Sequence, residues 1–239
     1  MYAFDSRIRY SETDSEGRLT LNALLNYFQD CSTFQSEDLG IGIGYLKERN
    51  MVWVLSSWQI VAERYPLLGE TVTVGTQPYE FRSFMGFRNF VMEDEAGNRI
   101  AYANSLFSLI DIETAHPMRP TKEMLEKYVL GEKIPMDYAP RKITIPDGAV
   151  KGEEILILPH HLDVNHHVNN GQYVRIAMDC VPKGLKIRQL RVEYKKQVRL
   201  HEVLTPYVSR TETGAYVVVL KNREDEVCCV VELECREAV

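Results

Sequence analysis

The sequence predicts an α+β protein made of two tandem copies of one unit, each a helix set against an antiparallel sheet. Three observations carry that prediction. The stretch DSEGRLTLNALLNYFQDC, from Asp14 to Cys31, returns in frame as DVNHHVNNGQYVRIAMDC, from Asp163 to Cys180. In each copy the opening Asp is followed by a helical pattern of apolar residues. After each helix come runs of β-branched and aromatic residues separated by turn residues.

In the first copy Leu21, Leu24, Leu25, Phe28, Cys31 and Phe34 recur at the spacing of one helix face. They predict a helix over roughly 20–38, closed by LGIGIG, where three glycines in six residues break the pattern. From Met51 to Asp111 the chain reads as strands, MVWVLSSWQIVAERY, ETVTVGTQPYEF, FMGFRNFVMED and NRIAYANSLFSLID, with EDEAGN as a hairpin connection. The second copy repeats the order: a strand EEILILP, a helix over about 169–181, and strands near 185–200, 203–211, 214–222 and 227–236, with ETGAY as a hairpin turn. Between the copies, HPMRPTKEMLEKYVLGEKIPMDYAPRK is rich in proline and charge, with one short helical piece, and reads as a linker laid over the surface. The domains are therefore expected at 1–116 and 151–239, joined by 117–150. A long helix wrapped by about five antiparallel strands is the description of a hot-dog domain, so the expected fold is two tandem hot-dogs.

The 239 residues leave room for two domains of roughly 100–150 residues, each with its own core. Hydrophobic residues at 45% and charged residues at 26% are ordinary for a soluble protein, and no apolar run approaches the roughly 20 residues that cross a bilayer. The start, MYAFDSRIRY, lacks the basic and apolar regions of a secretory signal. Five cysteines with no CxxC pair suit a reducing cytoplasm better than a disulfide framework, and Cys228 and Cys229, adjacent within an apolar run, read as core residues. A net charge of −6 argues against nucleic acid as a partner.

LDVNHHVNNGQYV, followed about 20 residues later by VEYKKQV, resembles the signature of plant-type acyl-acyl carrier protein thioesterases, which are double hot-dog proteins. RYPLLGETVTVGT and GFRNFVMEDEAGNRIAYANSLFSLIDIETAHPMRP in the first half resemble strands of that family as well. The resemblance runs from Ile8 to Leu204 and implies a thioester hydrolase of fatty-acid synthesis that needs no cofactor. It places Asp163, Asn165 and His167 in the active site. Where the family has an acidic residue followed by Cys, at the end of an EYRREC-like strand, this sequence has Gln197 and Val198, losing both a carboxylate base and a thiol.

Thioester hydrolysis needs a positioned water, a group that takes its proton, and donors for the oxygen that becomes charged. His167 is the one base in the string that works near neutral pH, Asn165 offers an amide donor, and Asp163 is placed to orient the imidazole or the water. Backbone N–H groups around Val168 and Asn169, at the helix start, are further expected donors. The blander alternatives are that Asp163 and Asn165 only cap the helix, that Gln197 is an ordinary strand residue, and that Trp53, Trp58, Phe84 and Met85 are core rather than acyl pocket. His160, His161, His166 and His167 lack any standard zinc spacing, so no metal is expected. The first copy has Glu16 and Arg18 in place of Asn165 and His167, which reads as a site lost after duplication.

From Lys183 to Leu200, Lys183, Lys186, Arg188, Arg191, Lys195, Lys196 and Arg199 stand against a single acid, Glu193. In a chain of net −6 this run suits the strongly acidic acyl carrier protein, with Lys186, Arg188, Arg191, Lys195, Lys196 and Arg199 as the docking residues and a solvated sheet face as the plain alternative. The expected partner is thus a carrier protein bearing a fatty acyl thioester, with no membrane insertion and with a homodimer compatible with the sequence. An acyl-CoA thioesterase and a non-catalytic acyl-thioester-binding protein are the alternatives.

Overall fold

The computed structural model describes residues 1–236; the last three positions of the second predicted domain lie outside them. Contacts between Cα atoms divide the chain into two units. The first comprises Met1–Ser56 and Ile60–Tyr138, and the second comprises Ser57–Gln59 and the chain from Ala139 onward.

The first unit holds strands β1 (Tyr2–Arg7), β2 (Met51–Ala62), β3 (Thr71–Arg82), β4 (Met85–Asp94) and β5 (Arg99–Asp111), and helices α1 (Leu21–Asp38), α2 (Ile43–Glu48) and α3 (Lys122–Lys127). Its strand order is β1-β3-β4-β5-β2. The second unit holds β6 (Val150–Lys151), β7 (Ile155–Leu156), helix α4 (Asn170–Asp179), β8 (Ile187–Tyr194), β9 (Val203–Arg210), β10 (Tyr216–Lys221) and β11 (Val227–Cys235). Its order is β6-β9-β10-β11-β8, with β7 also on β9. The two orders are the same once β6 and β7 together stand for β1. Each unit is a helix on an antiparallel sheet, the hot-dog arrangement that the sequence predicts.

Helix α1 forms because its apolar residues share a face. Leu24, Leu25, Phe28 and Cys31 are buried, the Phe28 ring lies 5.4 Å from that of Phe90 in β4, and Cys31 donates to the Val74 carbonyl at 3.4 Å. Thr20 starts the helix by accepting the Ala23 N–H at 3.2 Å. Thr20→Ala is expected to cost about 1 kcal/mol, read as a lower denaturation midpoint with unchanged slope. Helix α4 is shorter, and it buries Tyr173, Val174, Ile176 and Ala177. The Tyr194 hydroxyl in β8 donates to the Asn170 carbonyl at 3.0 Å, tying the start of α4 to its sheet.

Several elements depart from the sequence-based expectation. The apolar pattern predicts neither β1 nor α2. β1 is an edge strand whose exposure alternates residue by residue, so its apolar signal is thin. EEILILP is a strand only at Ile155–Leu156 (β7), with Ile157 adding backbone hydrogen bonds to Glu202 and His201; the short β6 precedes it, before Gly152, whose N–H donates to the Pro206 carbonyl. The strand expected near 185–200 stops at Tyr194, because Lys195 and Lys196 both donate their N–H to the Cys228 carbonyl (2.9 and 3.1 Å) and the chain leaves the sheet. Gln197 therefore lies on an exposed loop rather than in a strand.

The connecting segment is more than a surface strap. Met124 is fully buried, the Tyr128 hydroxyl meets Ser36 at 3.0 Å, and the Asn89 side-chain oxygen accepts from the Ile134 N–H (3.2 Å) and the Tyr138 hydroxyl (3.0 Å). A buried amide satisfied in this way fixes its neighbours, since leaving it unpaired would cost about 1–3 kcal/mol. Through Tyr138 the segment groups with the first unit, and from Ala139 with the second.

Candidate active site

The turn that carries the predicted residues is built the same way in both copies. Asp163 Oδ1 accepts the main-chain N–H groups of Asn165 (2.8 Å) and His167 (3.3 Å), the Asp163 N–H donates to the His167 carbonyl (2.8 Å), and the His166 N–H donates to the Asp163 carbonyl (3.1 Å). In the first copy Asp14 Oδ1 accepts from Glu16 and Arg18 (2.9 Å each), the Asp14 N–H donates to the Arg18 carbonyl (2.8 Å), and the Gly17 N–H donates to the Asp14 carbonyl (3.0 Å). A short carboxylate gathering nearby backbone donors closes such a loop without help from secondary structure. The turn requires a left-handed residue, Gly17 at φ 74° in one copy and His166 at φ 61° in the other.

The correspondence extends outward. Glu12 accepts the Arg9 N–H at 2.9 Å, and His161 Nδ1 accepts the Leu158 N–H at 3.0 Å. Leu19 donates to the Pro66 carbonyl, and Val168 donates to that of Val198. Glu70 accepts the Leu67 N–H, and Glu202 accepts that of Arg199, both at 2.9 Å. His161 is thereby a backbone cap whose imidazole is held below its ordinary pKa by burial first, then by His160 and Arg175. Among the described residues no three His, Cys, Asp or Glu side chains gather as metal ligands would.

On this shared frame the side chains differ. In the first copy Arg18 pairs with Glu16 at 3.3 Å, and the bridge across the loop joins Arg18 to Leu67. In the second copy the bridge joins His167 to Arg199. Glu70 in the first copy is bound by Arg64, which also holds Asp94 at 3.1 Å. The matching Lys196 holds Glu226, which leaves the Glu202 carboxylate without an ion-pair partner among the described residues.

His167 is half-buried, and its pKa is lowered: burial is the largest cause, Arg199 and His166 add to it, and Asp163 and Glu202 oppose it. Burial and the neighbouring positive groups favour the neutral imidazole, the form that accepts a proton. Asn165 is exposed, with its main chain locked by the same turn.

Two expectations need correction. The Val168 and Asn169 N–H groups are not open donors, because they bond to the Val198 and His161 carbonyls, both at 2.9 Å. Asp163 makes no hydrogen bond to the imidazole among the described residues; it acts on His167 through the main chain and through its charge. Gln197 lies one residue from Val198, whose carbonyl is paired with Val168, so the loop brings it beside the turn.

The basic run also looks different in three dimensions. β8 lies beside β11, whose acids are remote in sequence. Arg191 faces Glu232 at 2.8 Å with a side chain only 14% exposed, and it also donates to the Pro140 and Lys142 carbonyls, so it is a structural ion pair and not a docking residue. Arg188 meets Glu234 (3.3 Å), Lys195 meets Glu193 (3.2 Å) and Lys196 meets Glu226. Lys186 and Arg199 have no carboxylate partner among the described residues. Of the aromatic candidates for the acyl pocket, Trp58 is buried and Trp53 is partly buried with its ring 6.1 Å from that of Phe81.

The sequence pattern of the acyl-ACP thioesterase N-terminal domain, ACP being acyl carrier protein, matches residues 1–128, and that of the C-terminal domain matches residues 153–236. The chain belongs to the acyl-ACP thioesterase family. Within that family it is similar to a chloroplastic palmitoyl-acyl carrier protein thioesterase of Arabidopsis thaliana, 24% identical over 92% of this chain and 57% of the plant protein. The chain spans about half the length of the curated relatives it matches. An acyl-ACP thioesterase structure from Bacteroides thetaiotaomicron aligns over 98% of this chain and 97% of its own, with a TM-score of 0.89 and 25% identity. The 12:0-ACP thioesterase of Umbellularia californica shares the fold, with a TM-score of 0.84 and 19% identity over 98% of this chain and 96% of its own.

Proposed function

We propose that the chain hydrolyses fatty acyl thioesters borne on acyl carrier protein, releasing the free acid and so ending elongation. The observation that carries this is the asymmetry of two turns with equal hydrogen bonding: only the second presents an amide and a base, Asn165 and His167. His167 takes a proton from water as the oxygen adds to the thioester carbonyl, and Asn165 donates to the oxygen that gains charge. Gln197 holds the water. The C–S bond then breaks, and a thiolate whose conjugate acid has a pKa near about 8.5 leaves readily and receives the proton from the imidazolium. Asp163 fixes the main chain on which both groups stand.

The division of labour follows the two hot-dogs, 1–116 and 151–239, with 117–150 between them. The first unit, freed from chemistry, supplies most of the acyl-chain pocket. The five thiols, unpaired with one another, suit a reducing cytoplasm. Among the described residues no helix is long and apolar enough to cross a membrane.

The carrier docks on Lys186, Arg188, Lys195 and Lys196. Exposed ion pairs are worth about 0–1 kcal/mol, so at Lys196, whose pair with Glu226 is exposed on both sides, an acidic partner can exchange for the carboxylate at little cost. Reversing Lys195 and Lys196 to Glu is expected to raise KM for carrier substrates several-fold with kcat nearly unchanged, and added salt should imitate it. An equal loss on acyl-CoA would show that these lysines do not read the carrier.

The function is tested by comparing kcat/KM for the same acyl group on carrier protein and on CoA. Preference for the carrier, lost in high salt, is expected; preference for CoA would assign the chain to acyl-CoA hydrolysis. The exposed Gln197, which cannot act as a base, is the one observation favouring a protein that binds acyl thioesters without cleaving them.

A further inference from the structure

We propose that the Arg199 guanidinium is an oxyanion donor of the site, taking the place of the helix-start N–H groups that the fold has already used. This rests on His167 being the base. The bridge between His167 and Arg199 is antiparallel, and the Val168 N–H bonds to the Val198 carbonyl beside it. That pattern makes the two a non-hydrogen-bonded pair, the kind whose side chains rise on one face with Cβ atoms about 4.5–5.5 Å apart. Arg199 thus stands next to the imidazole by virtue of backbone register.

Its charge is uncommitted. Arg188, Arg191, Lys195 and Lys196 each hold a carboxylate, whereas the Arg199 guanidinium has no such partner among the described residues; its main chain alone is engaged, the N–H donating to the Glu202 carboxylate and the carbonyl accepting the Glu202 N–H. The N–H groups around the imidazole are meanwhile used: those of Asn165 and His167 go to Asp163 Oδ1, and those of His166, Val168 and Asn169 go to carbonyls. Apart from the Asn165 amide, Arg199 is the donor the frame leaves beside the base. The first copy puts Leu67 at the matching place, so it lacks this cation along with the base. A phosphate on the substrate's pantetheine arm is not the target, because the length of that arm separates it from the thioester that His167 attends.

The groups acting on His167 from the neighbouring segments are Asp163, His166, Arg199 and Glu202. Removing the positive charge of Arg199 therefore raises the His167 pKa toward that of a free imidazole, and the acid limb of kcat/KM moves to higher pH.

The test uses Arg199→Ala and Arg199→Lys with two substrates, an acyl-ACP and the same acyl group on N-acetylcysteamine, which has neither carrier nor phosphate. The alanine variant should lose about 100-fold in kcat on both substrates, with lysine recovering part of the loss, and the His167 resonance followed by NMR should titrate at higher pH. A loss confined to KM for the carrier substrate and abolished by salt would make Arg199 a docking residue and overturn the proposal, as would an unchanged kcat. Loss in His167→Ala without loss in Arg199→Ala would overturn this proposal alone, whereas full activity in His167→Ala would overturn the base assignment itself.

Discussion

Alanine at His167 is expected to lower kcat by about 100-fold or more, and alanine at Asn165 by a similar factor, while Arg18→Ala changes it little. The three residues sit on turns with matching hydrogen bonds, so a purely structural effect should be of similar size at His167 and Arg18, whose N–H groups both bond to the turn carboxylate. The difference between the variants isolates what the side chains do. His167 contributes a half-buried imidazole with a lowered pKa, whereas Arg18 contributes a guanidinium paired with Glu16. Equal losses at the two positions, measured under saturating substrate, would mean two working sites.

The second large effect concerns pH. A neutral imidazole accepts the proton, so kcat/KM should fall as pH drops through the His167 pKa, which burial, Arg199 and His166 place below the ordinary 6.5. The limb should follow a single titration. Gln197→Ala should reduce kcat/KM without moving that limb, since an amide does not titrate and its proposed role is to hold the water. Gln197→Glu should be tolerated. A limb near pH 4, roughly the range of ordinary carboxylates, would make Asp163 the base instead.

Periodicity exposes the elements with the strongest burial. Leu24, Leu25, Phe28 and Cys31 mark α1 because each is nearly or fully buried, and the long strands β2 to β5 are visible for the same reason. β1 and β6 escape the pattern because edge strands of two to six residues bury little, and their pairing depends on β3 and β9; β7 is legible only as part of the longer stretch EEILILP. The repeated Asp14 and Asp163 frame locates the turn, since a carboxylate at that spacing makes the same bonds in both copies.

What lies beyond the sequence is register. Neither the pairing of Val168 with Val198, which consumes an expected oxyanion donor, nor the placing of Arg199 beside His167 follows from local pattern. The basic run likewise gives no hint that β11 sets Glu232 and Glu234 against Arg191 and Arg188. Gln197 aligns with a strand in the sequence, but Lys195 and Lys196 turn the chain onto one carbonyl before it is reached.

On the proposed function, acyl thioesters are cleaved although Gln197 stands where the family resemblance implies a carboxylate. The most direct measurement is free fatty acid released by the purified wild-type chain from a panel of acyl-ACP substrates, run beside Gln197→Glu. Multiple turnovers by the wild type are expected on at least one chain length, with the Glu variant also active. No release by the wild type on any substrate, together with release by Gln197→Glu, would contradict it and make the protein a binder of acyl thioesters.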